Sequence, residues 1–182
     1  MTFRRVLRAD VVAMVAALAL LLVMAMDWYT TQVGEQAREI EKISRADGAV
    51  ASAAAGERRE DARLEAQGQE KNAWQLDGGI DRVILLGLLA TIIAAVSAAW
   101  LRAAGRRFEP PLTPSAAAGV LAGVTGLLVT YRILQKPGID NAVVVKAGAP
   151  LALVLLAVIA LSARAALRAE EDGGAWVEPA EG

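Results

Sequence analysis

Charge in this chain is confined to islands, and between them run four uncharged, apolar blocks: Val11–Met26, Val83–Leu101, Pro110–Tyr131 and Ala147–Ala163. No other feature restricts the fold as much. Sixteen helical residues rise about 24 Å, and roughly 20 are needed for the ~30 Å hydrocarbon core of a bilayer. A water-soluble domain can carry a similar apolar share, here 55%, but not in long uncharged blocks. The blocks predict an all-α chain, an integral membrane antiparallel four-helix bundle. Its segments are a tail 1–10, a first span 11–29, an outer loop 30–81 and a second span 82–102. A link 103–113, a third span 114–131, a short outer loop 132–143, a fourth span 144–165 and an acidic tail 166–182 follow. Trp28 and Tyr29 bring the first block close to spanning length as interfacial anchors, and Lys146 snorkels at the start of the fourth.

The first block has a rival reading as a cleaved signal peptide behind Arg4, Arg5 and Arg8. It ends Met-Ala-Met-Asp-Trp, without a small-x-small site, and this favours an uncleaved anchor. Orientation follows from Lys and Arg beside the spans. Arg4, Arg5 and Arg8 precede the first, Arg102, Arg106 and Arg107 lie between the second and third, and Arg164 and Arg168 follow the fourth. These places share one side, so both termini are expected in the cytoplasm of a bacterial cell, with loops 30–81 and 132–143 outside. Trp28, Tyr29, Trp74 and Tyr131 fall at the outer face as anchors, and Phe3, Trp100 and Phe108 at the inner.

Within lipid, helices approach through small residues. The third block holds Gly119-Val-Leu-Ala-Gly123, with Ala118, Ala122, Gly126 and Thr130 on the next stripe. The second holds Gly87, Thr91, Ala95 and Ala99 at spacing four. These stripes are expected to face each other in a tight hairpin. Abundant Ala and Gly also produce such spacing by chance, and a seam between two copies of the chain is the lesser alternative.

In the outer loop, Gln32–Ala46 is expected to be helical, with Val33, Ala37, Ile40 and Ile43 on one side and Glu35/Arg38, Glu39/Lys42 and Glu41/Arg45 at pairing distance. Asp47-Gly48 stops it, and Glu57–Gln67 reads as a second, highly charged helix. The loop is thus a solvated helical hairpin or a partly disordered stalk, or else a partner-binding coiled coil using the Val33–Ile43 stripe. Glu170 to Gly182 is acidic and expected to be disordered, with Trp176 incidental to it.

Ionisable groups near the membrane gather at the outer face. Asp27 ends the first span, Asp77, Asp81 and Arg82 precede the second, Arg132 ends the third and Lys146 opens the fourth. Antiparallel packing brings these ends to one level, so Asp27 or Asp81 can pair with Arg132 or Lys146. Such interfacial charges favour anchoring over a substrate site, and no charge at a helix centre offers a proton relay. The chain has no Cys and no His, which removes thiolate and imidazole chemistry. No phosphate loop, metal-ligand cluster or nucleophile elbow is present. The expectation is a non-enzymatic protein without cofactor or metal. The basic islands are too small for nucleic acid and lie against anionic lipid.

Trp28-Tyr29, Asn72-Ala73-Trp74, Asp81 and Tyr131-Arg132 followed by Pro137-Gly138 resemble motifs of uncharacterised four-pass membrane proteins of high-GC actinobacteria. The similarity spans about residues 10–30 and 70–168, with Asp27 where such proteins commonly have Pro. It implies architecture and source, and carries no activity. The expected role is an envelope anchor or accessory protein whose outer loop contacts an extracytoplasmic protein or wall component. The alternative is a small transporter or channel subunit acting as an oligomer, and a membrane-embedded enzyme comes third.

Overall fold

The computed structural model describes residues 8–46, 53–75, 78–104, 113–136 and 142–174. The elements in chain order are α1 (Arg8–Met24), β1 (Asp27–Thr31), α2 (Gln32–Ala46), α3 (Ala53–Gln69), β2 (Lys71–Asn72), α4 (Gly79–Ala103), α5 (Pro114–Leu134), β3 (Val143–Val145) and α6 (Gly148–Gly174). The chain is mostly helical. Among the described residues, three helices are long and apolar enough to cross a membrane: Gly79–Ala103, Pro114–Leu134 and Gly148–Ala169. Helix α1 is equally apolar, but its 17 residues rise only about 25 Å.

Helices α1, α4, α5 and α6 pack in a ring, α1 against α4 and α6, and α5 against α4 and α6. Their directions follow from which ends touch. Arg102 near the end of α4 reaches Asp10 at the start of α1, 2.6 Å from Nη1 to Oδ2, and Ser115 at the start of α5, 2.9 Å from Nη2 to Oγ. At the other end, Asp81 in the first turn of α4 meets Arg132 in the last turn of α5. Gly148 opens α6 against Trp28, just beyond α1, and Gly119 near the start of α5 meets Ala163 late in α6. Ring neighbours therefore run antiparallel.

Alanines fill much of the ring interior, packed among Leu20, Leu88, Leu156 and Ile159, and large apolar side chains also cover its outside. Ala13, Ala16, Ala17, Ala95, Ala99, Ala118, Ala122 and Ala152 are buried. Leu22, Leu86, Ile93, Leu127, Val154 and Leu161 are 60–74% exposed. Such a surface suits lipid, where apolar residues need no shelter and small ones let backbones approach. Thr113 caps α5 by accepting the Ala116 N–H, and Pro114 occupies the first helical turn.

The expected all-α chain is corrected by a three-stranded sheet in the order β2–β1–β3. Strand β1 pairs antiparallel with β2, Asp27 opposite Asn72, and with β3, where Tyr29, Thr30 and Thr31 face Val145, Val144 and Val143. The expected first span, 11–29, therefore ends at Met24: the aromatic and β-branched run Asp27–Thr31 takes strand geometry as soon as partners exist. Residues 144 and 145 likewise belong to a strand, so α6 starts at Gly148 and continues to Gly174, past the expected limit of 165. Trp28 and Tyr29 are not interfacial anchors. They are 1% and 3% exposed, and the Trp28 indole donates to the Val23 carbonyl at 3.0 Å. Trp74, Tyr131 and Trp100 are exposed.

The expected helix seam is also corrected in part. Gly87 does face α5, where a Cβ would lie 2.6 Å from Thr125 Oγ1, and Thr91 is fully buried with its hydroxyl donating to the Gly87 carbonyl. Gly119 instead meets α6, a Cβ there coming within 3.1 Å of Ala163, and Gly123 faces open space. The stripe through Ala118, Ala122 and Thr125 is the buried one. Helix α2 spans the expected Gln32–Ala46, and α3 packs beside it over a longer range than Glu57–Gln67. Arg4, Arg5, Asp47-Gly48, Asp77, Arg106, Arg107, Pro137-Gly138 and Trp176 lie outside the described residues.

Candidate outer-face binding site

The sheet roofs the end of the ring at which α4 and α6 begin, and it draws its strands from the α1–α4 and α5–α6 connections. This explains why the predicted charges assemble there. Arg132 projects from the last turn of α5 toward the first turn of α4 and forms a forked pair with Asp81, Nε to Oδ1 at 2.5 Å and Nη2 to Oδ2 at 2.6 Å. The Asp81 side chain is 2% exposed and that of Arg132 16%. A pair so enclosed depends on this two-point geometry, because each charge alone would be costly there.

Lys146 and Asp27 do not join that pair. Lys146 follows β3 and reaches across to Glu35 on α2. Asp27 sits at the edge of a second ionic group in which Arg38 of α2 grips Glu70, Nε to Oε1 at 2.8 Å and Nη2 to Oε2 at 2.6 Å, with Glu41 3.3 Å from Nη1. The four predicted charges are thus divided between two places flanking β1. The sequence reading paired Glu35 with Arg38 along one helix turn, but their partners are Lys146 and Glu70. Glu70 and, at the inner end, Asp10 were missed. For Asp10 the available signal was a lone acid at the head of an apolar run; Glu70, at the end of a highly charged segment, carried no such signal.

The electrostatics follow the burial. Burial is the main cause of a raised Asp27 carboxyl pKa, and Glu70 adds to it while Arg38 and Lys146 oppose it. The hydrogen-bonded Arg38 guanidinium holds the Glu70 carboxyl below its usual range, and Glu70 in turn raises Arg38. The Tyr29 phenol is pushed up to about 12 by burial, with Arg132 opposing and Asp81 assisting. It is therefore a protonated donor at neutral pH.

Two cavities open beside the sheet. One, about 290 Å³, is lined by Asp27, Arg38, Lys42, Glu70 and Lys146. The other, about 340 Å³, lies among β1, the end of α3 and the facing ends of α4 and α5, with Tyr29, Thr30, Gln69, Lys71, Asp81 and Arg132 in its wall. Tyr29 and Thr30 carry hydroxyls that are buried and have no hydrogen-bond partner among the described residues. Thr31 beside them is satisfied, donating to Gln69 Oε1 at 3.1 Å and accepting the Gly34 N–H at 3.1 Å. Among the described residues no group of three or more metal-ligating acids gathers. Comparisons with protein families, with curated proteins and with solved structures found no match to the chain.

Proposed function

We propose that the chain is a four-pass protein of a bacterial plasma membrane, with both ends of the sequence cytoplasmic, that presents its outer helical hairpin to a partner. The carrying observation is on α2. Val33, Ile40 and Ile43 are 52–55% exposed, while the side turned toward α3 and the sheet holds Gly34, Ala37 and Glu41. Leu64 on α3 is also exposed. An amphipathic helix normally buries its large apolar residues and exposes its small ones. Here that order is reversed on a hairpin held in place by the Arg38–Glu70 and Lys146–Glu35 pairs, a surface suited to a protein or wall component. Exposed apolar surface on α1 supports a fourth span, and the placement of Arg102, Arg164 and Arg168 supports this orientation.

Photocrosslinkers at Val33, Ile40 and Ile43 in intact cells should capture one partner repeatedly, while the same group at Glu39 should capture little. Equal yields from both sets would remove the docking role. A periplasm-dependent reporter after Ala54 should be active and one after Gly182 inactive, and the reverse result would invert the topology. The second reading, a transporter or channel subunit acting as an oligomer, draws on the cavities at the outer mouth. It requires Arg132→Gln to change solute flux in liposomes.

A further inference from the structure

We propose that the cavity between the start of β1, helix α2 and the opening of α6 binds a small zwitterion of the phosphoethanolamine type, carried by a soluble compound or by a lipid headgroup. The inference uses none of the exposed apolar residues of α2 and stands apart from the docking role. Its first support is the charge left over in the wall. Of the five charged residues lining this space of about 290 Å³, Arg38 is committed to Glu70 and Lys146 to Glu35. Asp27 and Lys42 remain, opposite in sign, and neither forms an ion pair among the described residues. A simple anion entering here meets two carboxyl groups, and a simple cation meets three cations. A ligand that carries both charges satisfies both ends. Lys42 stands one helical turn beyond Arg38, so those ends lie roughly 5–6 Å apart. That span fits the two-carbon linker of phosphoethanolamine better than the single carbon of an α-amino acid.

The second support is the contact between the acids. The carboxyl groups of Asp27 and Glu70 hydrogen-bond to each other. Two bare carboxylates repel, so this contact holds only with a donor between their oxygens. After burial, the Glu70 charge is the cause that raises the Asp27 pKa. A primary ammonium has three N–H donors, enough to serve both carboxylates and cancel their repulsion without a shared proton. A trimethylammonium has none. Lys42 is exposed and can turn its ammonium onto a phosphate oxygen at the far end. Met26 and Ala147 complete the wall and give the linker an apolar contact.

The test uses the full chain in neutral detergent, titrated with glycerophosphoethanolamine at constant ionic strength, with the unfolding midpoint as readout. Two controls each lack one half of the chemistry: ethanolamine has no acid group, and glycerophosphocholine has no ammonium N–H. Native mass spectrometry of protein taken from phosphatidylcholine nanodiscs containing phosphatidylethanolamine forms the second arm. Glycerophosphoethanolamine should raise the midpoint beyond both controls. Asp27→Asn should weaken binding by about tenfold, since hydrogen bonds to a charged group are the strong ones. Lys42→Met, at an exposed position, should weaken it by about threefold. It touches neither the sheet nor the ionic clamps, so it decides the matter should Asp27→Asn fail to fold. If the soluble compound is inert but phosphatidylethanolamine is retained over phosphatidylcholine and lost with either substitution, the source is lipid. Binding in neither arm overturns the proposal. So does a response to either control as large as to glycerophosphoethanolamine, or binding indifferent to both substitutions.

Discussion

The four-helix ring and the cap above it obey the same packing rule in different surroundings. Both bury alanines and expose large apolar residues: Ala16, Ala95 and Ala122 against Leu22, Ile93 and Leu127 in the ring, whose interior also holds Leu20, Leu88, Leu156 and Ile159, and Ala37, Ala62 and Ala66 against Val33, Ile40 and Leu64 in the hairpin. In lipid this arrangement is stable, because close backbone approach supplies the contact and exposed Leu costs nothing. In water the hairpin gains little from burying alanines, roughly in proportion to area. Its position depends instead on ionic clamps and on the sheet. The ring is held by packing together with the Arg102–Asp10 and Arg132–Asp81 pairs at its two ends, and the cap by the Arg38–Glu70 and Lys146–Glu35 pairs and backbone hydrogen bonds, so the two should fail under different perturbations.

The largest separation should come from Arg132→Ala. It leaves the Asp81 carboxylate buried and uncompensated, at a cost of about 3–5 kcal/mol. A lowered unfolding midpoint in detergent would report it, and Asp81→Asn added to the same chain should restore part of the loss. If Arg132→Ala alone has no effect, the outer end is not clamped by this pair.

A smaller contrast comes from two glycines. At Gly148 a Cβ would fall 2.5 Å from the Trp28 ring and 2.7 Å from the Asp27 carbonyl, whereas at Gly123 it would meet nothing within 4 Å. Gly148→Ala should cost about 1–3 kcal/mol and expose α2 amides to hydrogen exchange. Gly123→Ala should stay within about 0.5 kcal/mol. Equal effects would erase the distinction between a cap seated on the ring and one merely attached to it.

The smallest effect is in pH. Glu70, with its lowered pKa, stabilises the folded cap above the ordinary carboxylate range, and that contribution is lost as pH falls through its folded value. Asp27, with its raised pKa, does the opposite and favours the folded cap as pH falls through its own higher value. The cations Arg38 and Lys146 face both groups. Protease resistance of the hairpin should therefore peak between the two, and Asp27→Asn should flatten the higher-pH limb alone. A native profile without a peak would mean that these carboxyls do not govern docking.

Local pattern revealed much of this fold. The charge-free blocks located α4, α5 and α6, the expected start of the third span at 114 matches that of α5, and the Gln32–Ala46 expectation matches the bounds of α2. The Asp81–Arg132 pair was within reach because antiparallel neighbours must bring those ends level. The sheet was not legible in the same way. Its strands lie at 27–31, 71–72 and 143–145, and pairing across such separations leaves no periodic trace. Two local signs existed: Trp-Tyr-Thr-Thr and Val-Val-Val are β-favouring runs, yet each adjoins an apolar helix and was read as its extension. Glu35–Lys146 was hidden similarly, since a partner within one helical turn is always the simpler guess. The orphaned hydroxyls of Tyr29 and Thr30 became visible only once the sheet enclosed them.

The order of synthesis gives the sheet a further meaning. β1 is its middle strand, β2 is made with the outer loop, and β3 precedes the last long helix. Until that final segment emerges, one edge of β1 has no neighbour and Trp28 has no Gly148 to rest on. The sheet is thus completed late in biogenesis, and its closure reports that the segments it joins have all been made.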